Sequence, residues 1–192
     1  MKKIVYYVTS NFAKFQEVQE FLAHHHYDYI ELRHKSIDLD EIQTLDQEFL
    51  ACDKVRKAWE VLKKPLLIDD GAIYFARYNN FPGPLAKFVA QGLGFEGLKR
   101  LIEDGDRATR VLYLAYYNGQ GEPTLFEGRS EGTLIKSADQ GDPRLPYNAL
   151  FVPDGAEQTN AQMSGLVAQQ GHHFYRIKAL QKFLDWIKDQ PV

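Results

Sequence analysis

The chain has 192 residues, 44% of them hydrophobic and 26% charged, and a net charge of −3. Length and composition exclude a disordered chain and point to residues 1–192 forming a single globular domain with a sizeable core. Without a long basic run the chain is not a duplex nucleic-acid binder, whereas a small phosphorylated ligand in a locally basic cleft is compatible.

In chain order, residues 3–8 read as a buried strand. Thr9-Ser10-Asn11 then turns the chain into a helix, capped by Asn11 and running to about residue 23, with Phe12, Phe15, Val18 and Phe21/Leu22 on one face. Such a junction aims free backbone N–H groups and a positive helix end at one spot, which suits a phosphate, and Lys14 adds a cation one turn in. Residues 28–34 form a second strand. Asp46 caps a helix over 47–63, in which Phe49/Leu50, Ala51, Val55, Ala58/Trp59 and Leu62 recur at helical spacing. Leu66-Leu67-Ile68 is a short apolar strand ending at Asp69-Asp70, and Ile73-Tyr74-Phe75 restarts a strand. The cluster 79–84 is a turn, followed by helices over 85–91 and 95–103. Residues 111–117 and 125–135 flank Asn118-Gly119-Gln120-Gly121 as an antiparallel hairpin. A polar, turn-rich stretch covers 136–148, and the last helix spans about 174–188.

Cys52 is the sole cysteine, so no internal disulfide forms and a reducing compartment is expected. The apolar run after Lys3 is too short for a signal peptide, and no stretch approaches a membrane span. These features predict a cytoplasmic protein with no membrane partner.

The chemistry-bearing residues are Asp69 and Asp70 at a strand end, where open α/β sheets place ligands, with Glu41 in the polar loop before the second helix. Carboxylates so placed can hold Mg²⁺ against phosphate oxygens, although an Asp pair in a turn also serves as a solvated or capping group. Lys14, Lys54 and Lys87 are cations on the cleft side, each also readable as a solvated lysine. His24-His25-His26 lacks metal-ligand spacing, and His172-His173 reads as a solvated loop. Gly128 and Gly132 lie in a hairpin with no following helix; they suit a bulge or a close backbone approach.

Thr9-Ser10-Asn11-x-x-Lys14 resembles the opening motif of the inosine triphosphate pyrophosphatase family. The resemblance continues in order through Glu41, Lys54, Asp69-Asp70, Pro82-Gly83-Pro84 with Lys87, Phe126-x-Gly128-x-x-x-Gly132, and residues 151–155, 159–163 and 176–180. It implies a long, curved mixed β-sheet flanked by helices, two lobes with a central cleft, and a homodimer. It further implies Mg²⁺-dependent attack of water between the α- and β-phosphates of a nucleoside triphosphate, giving a monophosphate and pyrophosphate. By position, Thr9, Ser10, Asn11 and Lys14 would bind phosphate, and Lys54 and Lys87 would neutralise it. Glu41 and Asp70 would hold the metal, Asp70 would also activate water with Asp69 in support, and Gly71 sits where the family has a substrate-contacting Ser or Thr. At the base-reading end Tyr147 and Arg176 match the family, whereas Asn148, Gln170 and Tyr175 replace its Asp, Lys and His. An altered base preference is therefore expected. The alternatives are a silent nucleotide-binding protein on the same scaffold, or a hydrolase of another phosphoanhydride.

Overall fold

The computed structural model describes residues 2–136, 139, 141–167 and 169–190; part of the turn-rich stretch 136–148 lies outside them. The strands are β1 (Lys3–Val8), β2 (Ile30–Lys35), β3 (Leu66–Phe75), β4 (Pro82–Gly83), β5 (Arg107–Tyr117), β6 (Thr124–Leu134) and β7 (Phe151–Pro153). The helices are α1 (Phe12–His25), α2 (Gln47–Leu62), α3 (Ala86–Leu101), α4 (Pro146–Leu150) and α5 (Tyr175–Lys188).

The strands form one curled mixed sheet in the order β2-β1-β3-β5-β6-β7, with β4 added to β3. β1 runs parallel to both β2 and β3, but its pairing with β3 stops at Val8 opposite Ile68. β3 continues for seven more residues, paired antiparallel with β5 along its whole length from Leu66 opposite Tyr117 to Phe75 opposite Ala108. The expectation of a short strand, a break at Asp69-Asp70 and a restart is therefore wrong: this is a single strand. The physical reason is that both carboxylates find cations contributed by remote segments, so charge in mid-strand does not force an exit from the sheet.

Residues alternate across the strands, giving a core on each face. Tyr7, Leu67, Leu112, Leu114 and Phe126 pack against Val18 and Phe21 of α1 and Ile177, Leu180, Phe183 and Leu184 of α5. Each fully buried aliphatic or aromatic side chain there contributes about 1.5–3 kcal/mol. Val8, Leu66, Ile68 and Ala115 pack against Ala51, Val55 and Ala58 of α2 on the other face. A third cluster lies further along the curl, where Ile73, Phe75, Ala108 and Leu134 meet Ala86 and Leu98 of α3 and Tyr147 and Leu150 of α4. The cleft opens between this cluster and the first two.

Local signals account for the helix ends. Asn11 Oδ1 accepts from the Ala13 amide (3.1 Å) and Asp46 Oδ1 from the Phe49 amide (2.9 Å), both as expected of N-caps. Gly94, at φ 64°, breaks α3 into the two helical pieces anticipated. Phe12 and Phe49, placed on the inward faces by periodicity, are 44% and 56% exposed; the buried stripes of α1 and α2 are narrower than the apolar pattern suggests. At Gly128 an added Cβ would stand 1.8 Å from the Tyr175 carbonyl oxygen, and at Gly132 2.3 Å from that of Val152. Close backbone approach is thus the reason for both glycines.

Candidate active site

A cavity of about 690 Å³ lies past the end of β1, where β3 runs on without its parallel neighbour. Of the site residues singled out in the sequence, it is lined by Thr9, Ser10, Asn11, Lys14, Glu41, Lys54, Asp69, Asp70, Gly71, Lys87, Tyr147, Tyr175 and Arg176. Asn148 does not line it. Its size suits a drug-sized or nucleotide-sized ligand.

The segment after β1 is held rigidly. The Thr9 amide donates to the Lys35 carbonyl (3.1 Å), the Asn11 amide donates to Thr9 Oγ1 (3.2 Å), and Asn11 Nδ2 donates to the Arg144 carbonyl across the cleft (2.8 Å). His34 Nε2 lies 2.9 Å from the Thr9 carbonyl and its ring packs against Phe12 and Phe15.

Asp69 and Asp70 are neighbours in sequence, yet they serve opposite faces of the sheet. Asp69 faces α1 and α5. One of its oxygens takes Lys14, and the other accepts from the Tyr7 hydroxyl (3.0 Å) and Arg176 Nε (2.6 Å). Burial opposes its charge, but Arg176 and Lys14 outweigh it and hold the carboxyl well below the usual range. Arg176 in turn pairs with Glu17 of α1. Asp69 is therefore fully engaged as an internal counter-ion.

Asp70 faces α2. Lys54 Nζ donates to its Oδ1 (2.9 Å) and also lies 3.4 Å from Glu41 Oε1, so one ammonium bridges the two carboxylates. Lys87 Nζ is 3.6 Å from the same Glu41 oxygen. Burial works against the Glu41 charge, but Lys54 and Lys87 more than compensate and hold its carboxyl down. For Asp70 the balance reverses: burial pushes the carboxyl up, and Lys54 offsets only part of that. Its backbone is pinned by buried Gln47, whose Nε2 donates to the Asp70 carbonyl (2.9 Å), and Tyr74 holds Gln47 Oε1 (2.9 Å). Among the described residues Asp70 Oδ2 is buried without a hydrogen-bond partner. A buried, unpartnered carboxylate oxygen beside a second carboxylate fits a hard divalent cation completed by phosphate oxygens and water. The described residues hold no cluster of three or more His, Cys, Asp or Glu side chains suited to a metal; the three carboxylates do not converge, and Glu41 with Asp70 is the pair that does.

The remaining residues form a buried polar network. The Asn148 amide is fixed in both senses: Oδ1 accepts from Arg110 Nη1 (2.6 Å) and Nδ2 donates to Glu17 Oε1 (3.1 Å). It sits between a cation and an anion, which an amide satisfies and a carboxylate would not. Residue 148, expected to bear on base preference, is thus engaged at both ends of its amide within the protein, behind the cavity lining. Gln170 does not line the cavity either, and His172 is exposed. Tyr147 lines the cavity and donates its hydroxyl to the Ala86 carbonyl (2.9 Å), tying α4 to α3. The Cys52 thiol is pushed up by burial and lies outside the cavity.

Arg110 was missed from sequence. It is 5% exposed, lines the cavity, and donates to Asn148, to Asn160 (3.1 Å) and to the Tyr175 hydroxyl (2.7 Å). Its signal was available: in β5, Ala108, Arg110, Leu112 and Leu114 share one face, and an arginine in an otherwise apolar period-two series marks a buried charge with a task.

Comparison with known proteins agrees with this architecture. The Ham1 family profile matches residues 5–186. An inosine triphosphate pyrophosphatase of Phaeosphaeria nodorum is 36% identical over 184 residues, covering 94% of this chain and 92% of that protein. A dITP/XTP pyrophosphatase of Methanopyrus kandleri is 28% identical, with 96% of each chain covered. The fold matches the structure of the Staphylococcus aureus Ham1 protein with a TM-score of 0.73 at 18% identity, covering 97% of this chain and 98% of the other. It also matches a HAM1 protein from Coxiella burnetii with a TM-score of 0.72 at 20% identity, covering 99% and 100%. Sequence and fold together establish that this chain belongs to the Ham1 family.

Proposed function

We propose that the protein is a nucleoside triphosphate pyrophosphatase acting on deaminated purine nucleotides. The names of its relatives support the reaction class. The observation that carries the reading is the Glu41–Lys54–Asp70 arrangement, with its unpartnered Asp70 oxygen, in the same cavity as the amino end of α1.

Glu41 and Asp70 would hold Mg²⁺, which, when bound, supplies positive charge to the phosphate oxygens and acidifies a neighbouring water. Asp70, whose Oδ2 has no hydrogen-bond partner among the described residues, would take the proton of an attacking water. The water oxygen bonds to the α-phosphorus, the bond from that phosphorus to the α–β bridging oxygen breaks, and pyrophosphate leaves with the electron pair. Lys54 and Lys87 neutralise the charge that builds on the departing group, and Thr9, Ser10, Asn11 and Lys14 orient the phosphate chain. Asp69 supports this indirectly: it stores the charge of Lys14 and Arg176 until the ligand arrives. Tyr147 supplies an aromatic wall for the base, and Tyr175 and Arg176 polar contacts, with Gly71 leaving space at the same wall.

We further propose Mg²⁺ as the metal, a homodimer in solution and a cytoplasmic site of action, the last consistent with no helix among the described residues being long and apolar enough to cross a membrane. Pyrophosphate release measured across a nucleotide panel with Mg²⁺ tests the activity: turnover of inosine or xanthosine triphosphate supports it, and folded protein that turns over no nucleotide refutes it.

A further inference from the structure

The Tyr175 hydroxyl is in an unusual position. Its oxygen accepts a hydrogen bond from Arg110 Nη2 at 2.7 Å, and the guanidinium carbon lies 4.2 Å from the Tyr175 ring centroid. A guanidinium has donors and no acceptors, so the proton of the hydroxyl must point away from Arg110. Arg110 cannot swing aside, because its Nη1 is held by the amide oxygens of Asn148 and Asn160. Tyr175 lines the cavity, and no hydrogen bond donated by its hydroxyl is found among the described residues. Opposite stands Gly71: a Cβ there would be 3.2 Å from the Tyr175 hydroxyl oxygen, so glycine keeps the approach to it open.

A phenol that already accepts from a fixed cation turns its proton toward the cavity and is the poorer acceptor there. It bonds a ligand oxygen and disfavours a ligand N–H at the same place. On a purine the edge that changes on deamination swaps an amino donor for a carbonyl acceptor. We propose that Arg110 is a positioning residue that aims the Tyr175 O–H at the cavity as a donor, selecting a nucleobase carbonyl over an amino group. The inference rests on the nucleotide reading above but not on turnover.

The test is calorimetric affinity for inosine and adenosine monophosphates, which share sugar and phosphate and differ at that edge. The wild-type protein should prefer the inosine nucleotide by about tenfold or more, since a site built around a hydrogen bond discriminates strongly against a mismatched group. Tyr175→Phe keeps the ring and should bring the ratio to within about threefold. Arg110→Met should do the same by freeing the hydroxyl to accept, whereas Arg110→Lys, which retains a donor, should preserve the preference. An Arg110→Met protein that keeps the wild-type ratio overturns the positioning role; if that variant fails to fold, Arg110→Gln, whose amide can accept from the hydroxyl, takes its place and should narrow the ratio. A wild-type ratio near one overturns the proposal, as does a Tyr175→Phe protein that keeps the wild-type ratio or weakens both ligands equally, the last result placing the contact on sugar or phosphate. A protein that hydrolyses no triphosphate yet shows these ratios defeats the proposed reaction and leaves this inference standing.

Discussion

Gly128→Ala is the sharpest test of how the cleft is assembled. β6 and α5 approach so closely at Gly128 that a methyl group there meets backbone on every side: the Tyr175 carbonyl oxygen at 1.8 Å, its carbonyl carbon at 2.9 Å and the Ala179 amide nitrogen at 2.8 Å. Backbone atoms cannot rotate away, so α5 must lift from the sheet by at least about 1.2 Å to reach the 3.0 Å below which real Cβ contacts do not fall. Lifting it loosens Ile177, Leu180, Phe183 and Leu184 in their core. Overpacking of this kind costs about 1–3 kcal/mol, and partial loss of α5 burial adds to it, so a destabilisation of about 3 kcal/mol is expected. For a chain of this size that lowers the thermal midpoint by about 6–12 °C. The same movement carries Tyr175 and Arg176 out of place, and a displacement near 1 Å lowers turnover by about a hundredfold. Gly92→Ala is the control: it lies in α3 with nothing within 4 Å of an added Cβ, and should be neutral or stabilising by up to about 1 kcal/mol. Differential scanning calorimetry of both variants decides the matter. A Gly128→Ala protein melting within 2 °C of wild type would refute the packing argument.

Asp70→Asn should lower pyrophosphate release by at least about a hundredfold while far-ultraviolet circular dichroism stays unchanged, and retained turnover would place the base elsewhere. Asp69→Asn leaves Arg176 and Lys14 facing a neutral group, and should destabilise by about 3–5 kcal/mol at pH 7. Because the Asp69 carboxyl is held below its unfolded value, its contribution is fully present above about pH 4 and fades as pH falls through the lower folded value. The gap between wild type and Asp69→Asn in urea unfolding should thus be constant from pH 7 to about pH 4.5 and shrink only below; a gap already closed at pH 5 would contradict the assignment. Exhaustive chelation should stop turnover yet leave the thermal midpoint within about 2 °C, since Lys54 already bridges both carboxylates; unfolding on chelation would show that the fold depends on the metal.

The helices α1, α2 and α5 and the hairpin β5–β6 were legible because caps and periodicity are local properties of the chain. The gathering of Glu41, Lys54, Asp70, Lys87 and the Thr9–Lys14 segment into one cavity was legible only as an ordered series of motifs. What escaped depended on partners remote in sequence. β3 was read as broken because the neutralisation of Asp69 by Lys14 and Arg176, and its hydrogen bond from Tyr7, cannot be seen along the strand itself. The anchoring of Asn148 could not be read either, because its partners, Arg110 and Glu17, lie 38 and 131 residues away. Phe12 was assigned inward because helical spacing gives the direction of a stripe and not its width; it lies at the cavity wall.

The alternation of side chains along β3 puts Asp69 on one side of the sheet and Asp70 on the other. Adjacent codons therefore serve two halves of one cavity lining, on either side of a layer of backbone. A substitution among the partners of Asp69 need not disturb Lys54 or Glu41 behind the partition, so the two halves of the cavity lining can vary independently.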